Sequence, residues 1–384
     1  MVQTNDPTVI EISLDNLLYN IDHIKQSIPQ DLKIIAVVKD NAYGCGATPV
    51  ASLLEKYNKV DMFTVARFDE AVQLRRDGIT LPILILGRVS TECISGSTYK
   101  NFIYTLNEVN DCSRWSTLNK PIEFHINVDT GMTRMGILPH EINNVLCALS
   151  EKSNLHCKGI FTHFASADVP GTSTVAQQLA LFNQSVHALR SNGIHPEFIH
   201  TSNSAALARF TPEGCTHVRP GIMLYGCKPD PAQEFPVSLK PIVTFKSNIV
   251  RLKQVPAGTK VSYGGHYSTP SETWIAVIPA GYAQGIPRFL SSCGEVLIRG
   301  KRYRIAGNVT MDYIMVNAGP QPEIALGDEV IIIGVQGHEE ITPDEIAIKG
   351  NTIGYEIICN LGKSVRRIYR HNGSTLYEIP GTIF

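Results

Sequence analysis

A chain of 384 residues exceeds the size at which one hydrophobic core usually keeps growing, so two domains are expected. Apolar residues make up 43% and charged residues 18%, while 34 basic against 35 acidic side chains leave a net charge of -1, a soluble globular balance that excludes nucleic acid or an acidic membrane as a partner held by bulk charge. The odd number of cysteines, nine, scattered without a C-x-x-C pair, fits reduced thiols in a cytoplasm and excludes a disulfide framework or a zinc site, so no metal is expected.

The N-terminal stretch MVQTNDPTVIEISLDNL lacks a basic segment followed by an apolar one, and no apolar run approaches bilayer length, which again points to the cytoplasm. Next, SLDNLLYNIDHIKQS places Leu14, Leu17, Leu18, Ile21 and Ile24 on one helical face, with Ser13 as N-cap. Between residues 33 and 224 come eight short apolar or β-branched runs, from KIIAVVK through MFTVAR, ILILGR, FIYTLN, IEFHINV, KGIFTHF and FIHTSNS to HVRPGIML. Helical stretches lie between most of them, such as FDEAVQLRR before Gly78 and TVAQQLALFNQSVHALRSN before Gly193. Eight strands alternating with helices predict an α/β fold, a (β/α)8 barrel of the TIM type over residues 1–238.

Proline-rich KPDPAQEFPVSLKP marks a domain edge near residues 228–241. Beyond it, IVTFKSNIVRLKQV, TWIAVIPA, GEVLIRG, KRYRIAG, YIMVNA and DEVIIIGV are β-rich and separated by glycine turns, so residues 239–384 are expected to form a smaller all-β domain.

The first barrel strand ends in VVKDNAYG, which puts Lys39 on the C-terminal face where a barrel carries its chemistry. Other strand ends bring Arg134 after VDTGM, His163 in GIFTHFASAD, Asn203 and Ser204 in HTSNSAA, and Arg219 in HVRPGIMLYG. Singly each has a plain structural reading: His163 as a satisfied core imidazole, Ser204 as a helix cap, Arg219 as a surface ion pair, Gly221 as a turn. Together, an amine, an imidazole, a guanidinium and glycine-flanked amides make a site for an anionic aromatic cofactor, with the Gly221 and Ile222 amides and the Ser204 hydroxyl suited to a phosphate.

With these motifs in order, the whole chain resembles the alanine racemases, pyridoxal-phosphate enzymes built from a barrel and a β domain. VVKDNAYGCG, VDTGMTRMG, GIFTHFASAD and VRPGIMLYG carry the resemblance in the first domain, and VSYGG, PAGYAQG, GNVTMDYIMV and NTIGYEI carry it in the second. The resemblance implies pyridoxal 5'-phosphate held as a Schiff base on Lys39, with Tyr43, Ser204, Gly221, Ile222 and Tyr355 on its phosphate, His163 against its ring and Arg219 at the ring nitrogen. It implies a two-base racemisation by Lys39 and Tyr263, with Arg134, the Met311 amide and Asp312 around the substrate carboxylate. Tyrosine begins near pKa 10, so base work at neutral pH requires roughly 3 to 4 kcal/mol of differential stabilisation, for which His163 and Arg219 are the candidate sources. In the family the tyrosine comes from the partner subunit, which implies a head-to-tail homodimer, and D-alanine supply to peptidoglycan is the implied role.

Three positions depart from the family pattern. Asn127 stands where many members carry a lysine carbamylated to an anion, so either a bound anion such as chloride or Asp129 compensates Arg134, or Asn127 has a plain surface role. Thr310 replaces a frequent cysteine and Gln284 a common acidic residue. These changes leave a serine or broad-spectrum racemase as the alternative. A decarboxylase on the same fold would need a catalytic cysteine and a glycine-serine phosphate loop in matching contexts, which the sequence lacks. A non-catalytic pyridoxal-phosphate-binding protein is the remote third reading, disfavoured by the complete second domain with Tyr263.

Overall fold

All eight expected runs form parallel strands that close on one another, in the order β2 (Lys33–Val37), β3 (Met62–Val65), β4 (Ile83–Ile85), β5 (Phe102–Leu106), β6 (Ile122–Asn127), β7 (Leu155–Phe161), β8 (Phe198–His200) and β9 (His217–Val218). The chain's structure is a computed structural model that describes residues 6–150, 152–169, 171, 173–207, 209–210, 213–230 and 235–381. The first five residues and part of the proline-rich segment, 231–234, lie outside the described residues.

Two residues suffice for β9, because Lys33 pairs with His217 and Ile34 with Val218 to seal the ring. Continuous apolar runs form these strands because a parallel barrel covers both faces of its sheet. Ile35, Met62, Leu84, Ile103 and Phe161 make one fully buried cluster, each side chain contributing roughly 1.5 to 3 kcal/mol of burial. The helices fall where their periodicity places them, Phe68–Arg76 ending before Gly78 at φ +93° and Thr174–Ser191 ending before Gly193 at φ +78°. In both cases a left-handed residue follows the last turn, and glycine adopts that conformation without a Cβ penalty.

The chain divides into two compact units, one comprising Ile21–Leu224 with Phe235–Ser238, the other Met1–Asn20, Tyr225–Glu234 and Leu239–Phe384. The first twenty residues therefore belong with the β unit, whereas the sequence reading assigns all of 1–238 to the barrel. The cause is β1 (Val9–Ser13), which pairs antiparallel with β10 (Val243–Asn248) and parallel with Arg366–His371. After β1, Ser13 Oγ accepts the Asn16 amide at 3.1 Å and so caps the helix Leu14–Gln26 as expected.

In the β unit, β1 and β10 lie in an eight-stranded sheet that also holds Glu295–Ile298, Lys301–Arg304 and Glu329–Gln336. Arg251–Val255, Thr273–Ile278 and Ile314–Gly319 form a second, three-stranded sheet. The unit is β-rich without being all-β, since short helices run over Pro343–Lys349 and Gly354–Cys359. Thr342 caps the first of these by accepting the Glu345 amide at 3.0 Å, a signal that the β-run reading passed over. No helix among the described residues is long and apolar enough to cross a membrane, and all nine cysteines are free.

Candidate active site

Lys39 follows β2 and opens a turn of unusual hand. Asp40, Asn41, Ala42 and Tyr43 all have φ between +52° and +55°, one turn of left-handed helix closed by Gly44 at φ +83°. Such a turn costs L-residues about 1 to 2 kcal/mol each, less for Asp and Asn, so neighbouring bonds must hold it. The Glu70 carboxylate accepts the Asp40 amide at 2.6 Å and, through its other oxygen, the Ala66 and Arg67 amides. Asn41 Oδ1 accepts the Ala47 amide at 2.9 Å and its carbonyl accepts the Gly46 amide, tying the turn to the helix that follows. The result fixes the backbone on both sides of a half-buried Lys39.

His163 lies after β7 with its Nε2 3.4 Å from Asn203 Nδ2. Burial first, then the positive charges of Arg219, Arg134 and Lys39, push its pKa down to about 3, so the imidazole is neutral at physiological pH. The charges that depress it belong to three other expected residues, each following a different barrel strand. Gln178, on the long helix Thr174–Ser191, holds the segment: its amide donates to the His163 carbonyl at 3.1 Å and to Thr130 Oγ1 at 3.2 Å, while its oxygen accepts the Ala165 amide.

Arg219 is 4% exposed and makes no ion pair among the described residues. Instead Nη1 donates to His200 Nδ1 at 2.8 Å and to the His200 carbonyl at 2.9 Å, and Nη2 donates to the carbonyls of Thr162 and Thr201 at 2.8 and 3.0 Å. Burial lowers its pKa to about 10, which still leaves the guanidinium charged at neutral pH. A buried cation satisfied only by neutral acceptors creates a local positive potential that an anionic ligand would relieve. With the four Nη protons engaged, Nε–H is the donor not committed to protein.

Ser204 Oγ accepts the Gly221 amide at 2.9 Å, and both residues are buried. A Cβ built at Gly221 would stand 2.6 Å from Tyr43 Oη, so only glycine admits the tyrosine hydroxyl so close to this backbone. The Gly221 amide, expected on a phosphate, is thus donated to Ser204, and the Ser204 and Tyr43 hydroxyls at the start of the short 3-10 turn Ile222–Tyr225 are the groups there that suit a phosphate. Ile222 is fully buried there.

Asn127, at the end of β6, is buried and donates both amide protons, to Asn107 Oδ1 at 2.9 Å and to the Met135 carbonyl at 3.0 Å. Arg134 is exposed, with no ion pair among the described residues. Asp129 Oδ1 accepts the Gly131 and Thr133 amides and so braces its own loop. The plain surface role for Asn127 is therefore corrected to a buried, loop-bracing one. Asp129 makes no ion pair with Arg134 among the described residues, so the expected compensation by Asp129 is not seen.

The remaining expected residues lie in the β unit. Tyr263 is 74% exposed and opens the 3-10 turn Tyr263–Gly265, which is preceded by Ser262 at φ +66° and contains Gly264 at φ +73°. Asn308 clamps this turn, its amide donating to the Tyr263 carbonyl at 2.8 Å and its own carbonyl accepting Ser262 Oγ–H at 2.7 Å. Met311 is 55% exposed, and Asp312 Oδ1 accepts from Gln284 Nε2 at 3.4 Å. An acidic residue at 284 would face that carboxylate; the amide here bonds to it. Tyr355 is half-buried on Gly354–Cys359. Glu70, Gln178 and Asn308 support the site residues, yet nothing in their local sequence marks them.

Among the described residues no group of three or more His, Cys, Asp or Glu is arranged to hold a metal ion. Compared with known proteins, residues 12–229 match the family model "Alanine racemase, N-terminal domain" and residues 242–369 match "Alanine racemase, C-terminal domain". The alanine racemase of Halothermothrix orenii is 40% identical over 369 residues, covering 95% of this chain and 97% of that protein. The crystal structure of the Bacillus anthracis alanine racemase with bound L-Ala-P superposes with a TM-score of 0.91 at 37% identity, covering 99% of each chain. A histidine racemase from Leuconostoc mesenteroides has a TM-score of 0.87 at 26% identity, over 96% of this chain and 99% of that one.

Proposed function

The chain belongs to the alanine racemase family, an isomerase family, and from that membership we propose that it interconverts L- and D-alanine with pyridoxal 5'-phosphate as cofactor. The observation that carries this reading is the buried Arg219, a cation held by four bonds to neutral acceptors with Nε–H uncommitted, on the same barrel unit as Lys39 and His163. The cradle of Tyr43, Ser204 and Gly221 in the same unit suits the cofactor's phosphate, with Ile222 and Tyr355 as further contacts. When bound, pyridoxal phosphate supplies an electron sink that makes the α-proton of an amino acid removable.

Lys39 would hold the cofactor covalently and, once released from it, carry a proton at Nζ on one face of the substrate α-carbon. Tyr263 would carry the other proton at Oη on the opposite face, and inversion follows when one takes and the other gives. Arg219 would donate Nε–H to the ring nitrogen without transferring the proton, because a guanidinium with pKa near 10 keeps it at neutral pH. Arg134, the Met311 amide and Asp312 would orient the substrate carboxylate.

A tyrosine needed for chemistry and yet 74% exposed supports its use in a second copy's site, hence a head-to-tail homodimer. Nine free thiols support a reducing cytoplasm as the setting, and D-alanine for peptidoglycan as the role is carried by analogy. A shift toward serine or a broader substrate set is the second reading, motivated by Asn127, Thr310 and Gln284.

Chiral chromatography of cofactor-loaded protein incubated with L-alanine, L-serine or L-lysine tests both readings. D-alanine formed fastest, and lost by at least about a thousandfold in Lys39→Ala, is the expected result. Faster D-serine or D-lysine would move the substrate and keep the mechanism, whereas no D-product from any of them would overturn the racemase reading.

A further inference from the structure

Inside the barrel the acceptor that Arg219 uses is itself held by a second histidine. His200 Nε2 lies 2.9 Å from Nδ1 of His125, a residue of β6 seventy-five positions earlier. Both imidazoles are fully buried. The direction of this chain follows from chemistry alone. A guanidinium only donates, so His200 Nδ1 must accept and His200 must carry its proton on Nε2. That proton can only be given to His125 Nδ1, which leaves His125 protonated on Nε2. Among the described residues, His125 Nε2 is buried with no hydrogen-bond partner. The chain therefore runs one way, from the cation to an N–H group with no protein acceptor.

An unmatched buried donor is destabilising, and replacing a buried polar pair by apolar side chains of similar shape can be neutral or stabilising. Packing alone therefore gives no reason for two imidazoles here. Room has also been made for them: a Cβ at Gly159 would stand 2.7 Å from both Cδ2 and Nε2 of His125. Phe161 stacks on His200 with centroids 4.9 Å apart and planes 9° apart, and the Arg219 guanidinium lies 5.4 Å from the same ring's centroid. Phe198 packs on His125 with centroids 5.0 Å apart.

We propose that His125 and His200 are positioning residues that hold Arg219 in a single orientation, both as neutral Nε2–H tautomers, so that Nε–H is its one donor left for a ligand. The proposal rests on the cofactor reading above only for the identity of that ligand. Gly159 is required because any side chain there would displace His125. Burial depresses the pKa of both imidazoles, His125 to about 3 and His200 far below its usual range, which keeps them neutral acceptors beside the cation. Without His125 the His200 proton loses its acceptor, the ring is free to change tautomer or turn, and Nη1 of Arg219 loses a fixed partner.

The test begins with full-length protein carrying histidines labelled with nitrogen-15. Long-range proton–nitrogen spectra should show both buried rings as Nε2–H tautomers, unchanged from about pH 5 to 8. A ring with Nδ1–H, or one that takes a second proton in that range, overturns the proposal, and this arm needs neither a variant nor a cofactor. In protein loaded with cofactor labelled at the pyridine nitrogen, His125→Leu should shift the pyridine resonance and weaken cofactor retention roughly tenfold. His125→Asn, whose Oδ1 can accept in place of Nδ1, should restore both. An unmoved pyridine signal in a folded His125→Leu protein overturns the role assigned to His125. Wild-type protein that takes up no cofactor overturns the cofactor reading instead, and the tautomers still decide whether the chain exists.

Discussion

The residues expected at the active site fall into two groups that differ in kind. Those on the barrel are buried or half-buried and heavily bonded: Arg219 has four guanidinium bonds, Ser204 holds a backbone amide, and Asn127 uses both amide protons. Arg134 is the exception, exposed on its loop. On the β unit, Tyr263 and Met311 stand on the surface at 74% and 55% exposure, with the Tyr263 backbone held by Asn308, while Asp312 bonds to Gln284 and Tyr355 is half-buried. One group is fixed through its side chains, the other through loops braced from behind. If both serve one site, burial would order the first group and loop clamping the second.

The largest effect is expected when the two groups of residues are divided between copies. Lys39→Ala and Tyr263→Phe should each be nearly inactive, yet mixed and reassembled they should recover about a quarter of wild-type racemisation, because half of randomly paired dimers keep one intact site in two. Activity that stays at the level of the separate variants would mean that each site takes both residues from one chain. Tyr263→Phe alone should lose roughly 100- to 10,000-fold while leaving the melting temperature unchanged, since the hydroxyl lies on an exposed side chain.

Acid should find the barrel half first. His125 and His163 are held to a pKa of about 3, His217 to about 4, and His200 well below its usual value, all mainly by burial. An unfolded chain takes up these protons near pH 6.5, so the folded state has its full stability above that pH. It loses stability as pH falls toward 4, on the order of 1.4 kcal/mol per pH unit for each histidine. Urea unfolding at stepped pH measures this, and a flat profile between about pH 7 and 5 would count against neutral buried imidazoles. A smaller effect is expected from Asn308→Ala, which removes the side-chain clamp on the Tyr263 carbonyl. Turnover should fall roughly tenfold with KM little changed, and an unaltered kcat would show that the turn is held by its backbone alone.

Much of the barrel half is legible in the sequence, because strand ends announce themselves: KIIAVV is followed by Lys39, and IEFHINV by the D-T-G-M loop. What supports those residues is not legible. Asp40 and Asn41 suggest a turn, but Ala42 and Tyr43 have no preference for positive φ, so the left-handed turn after Lys39 arises from tertiary bonds to Glu70 and Asn41. His125 and His200 lie in ordinary-looking strand runs, and their contact depends on which face of a closed barrel each presents. The N-terminal boundary is hidden for a related reason. Nothing within VIEIS shows its pairing, and one of its two partners in the sheet lies more than 350 residues away at Arg366–His371. Local pattern reveals an element's type; long-range pairing decides its allegiance.

Asn127 carries a consequence for the conditions under which the protein can work. A lysine in its place becomes an anion only by capturing carbon dioxide, so a loop braced that way depends on dissolved inorganic carbon and on pH. Here the brace is an amide that arrives complete from translation, bonded to Asn107 and to the Met135 carbonyl. The geometry of the D-T-G-M loop is accordingly indifferent to the gas phase, and protein prepared in carbonate-free buffer should need no bicarbonate to reach its full rate.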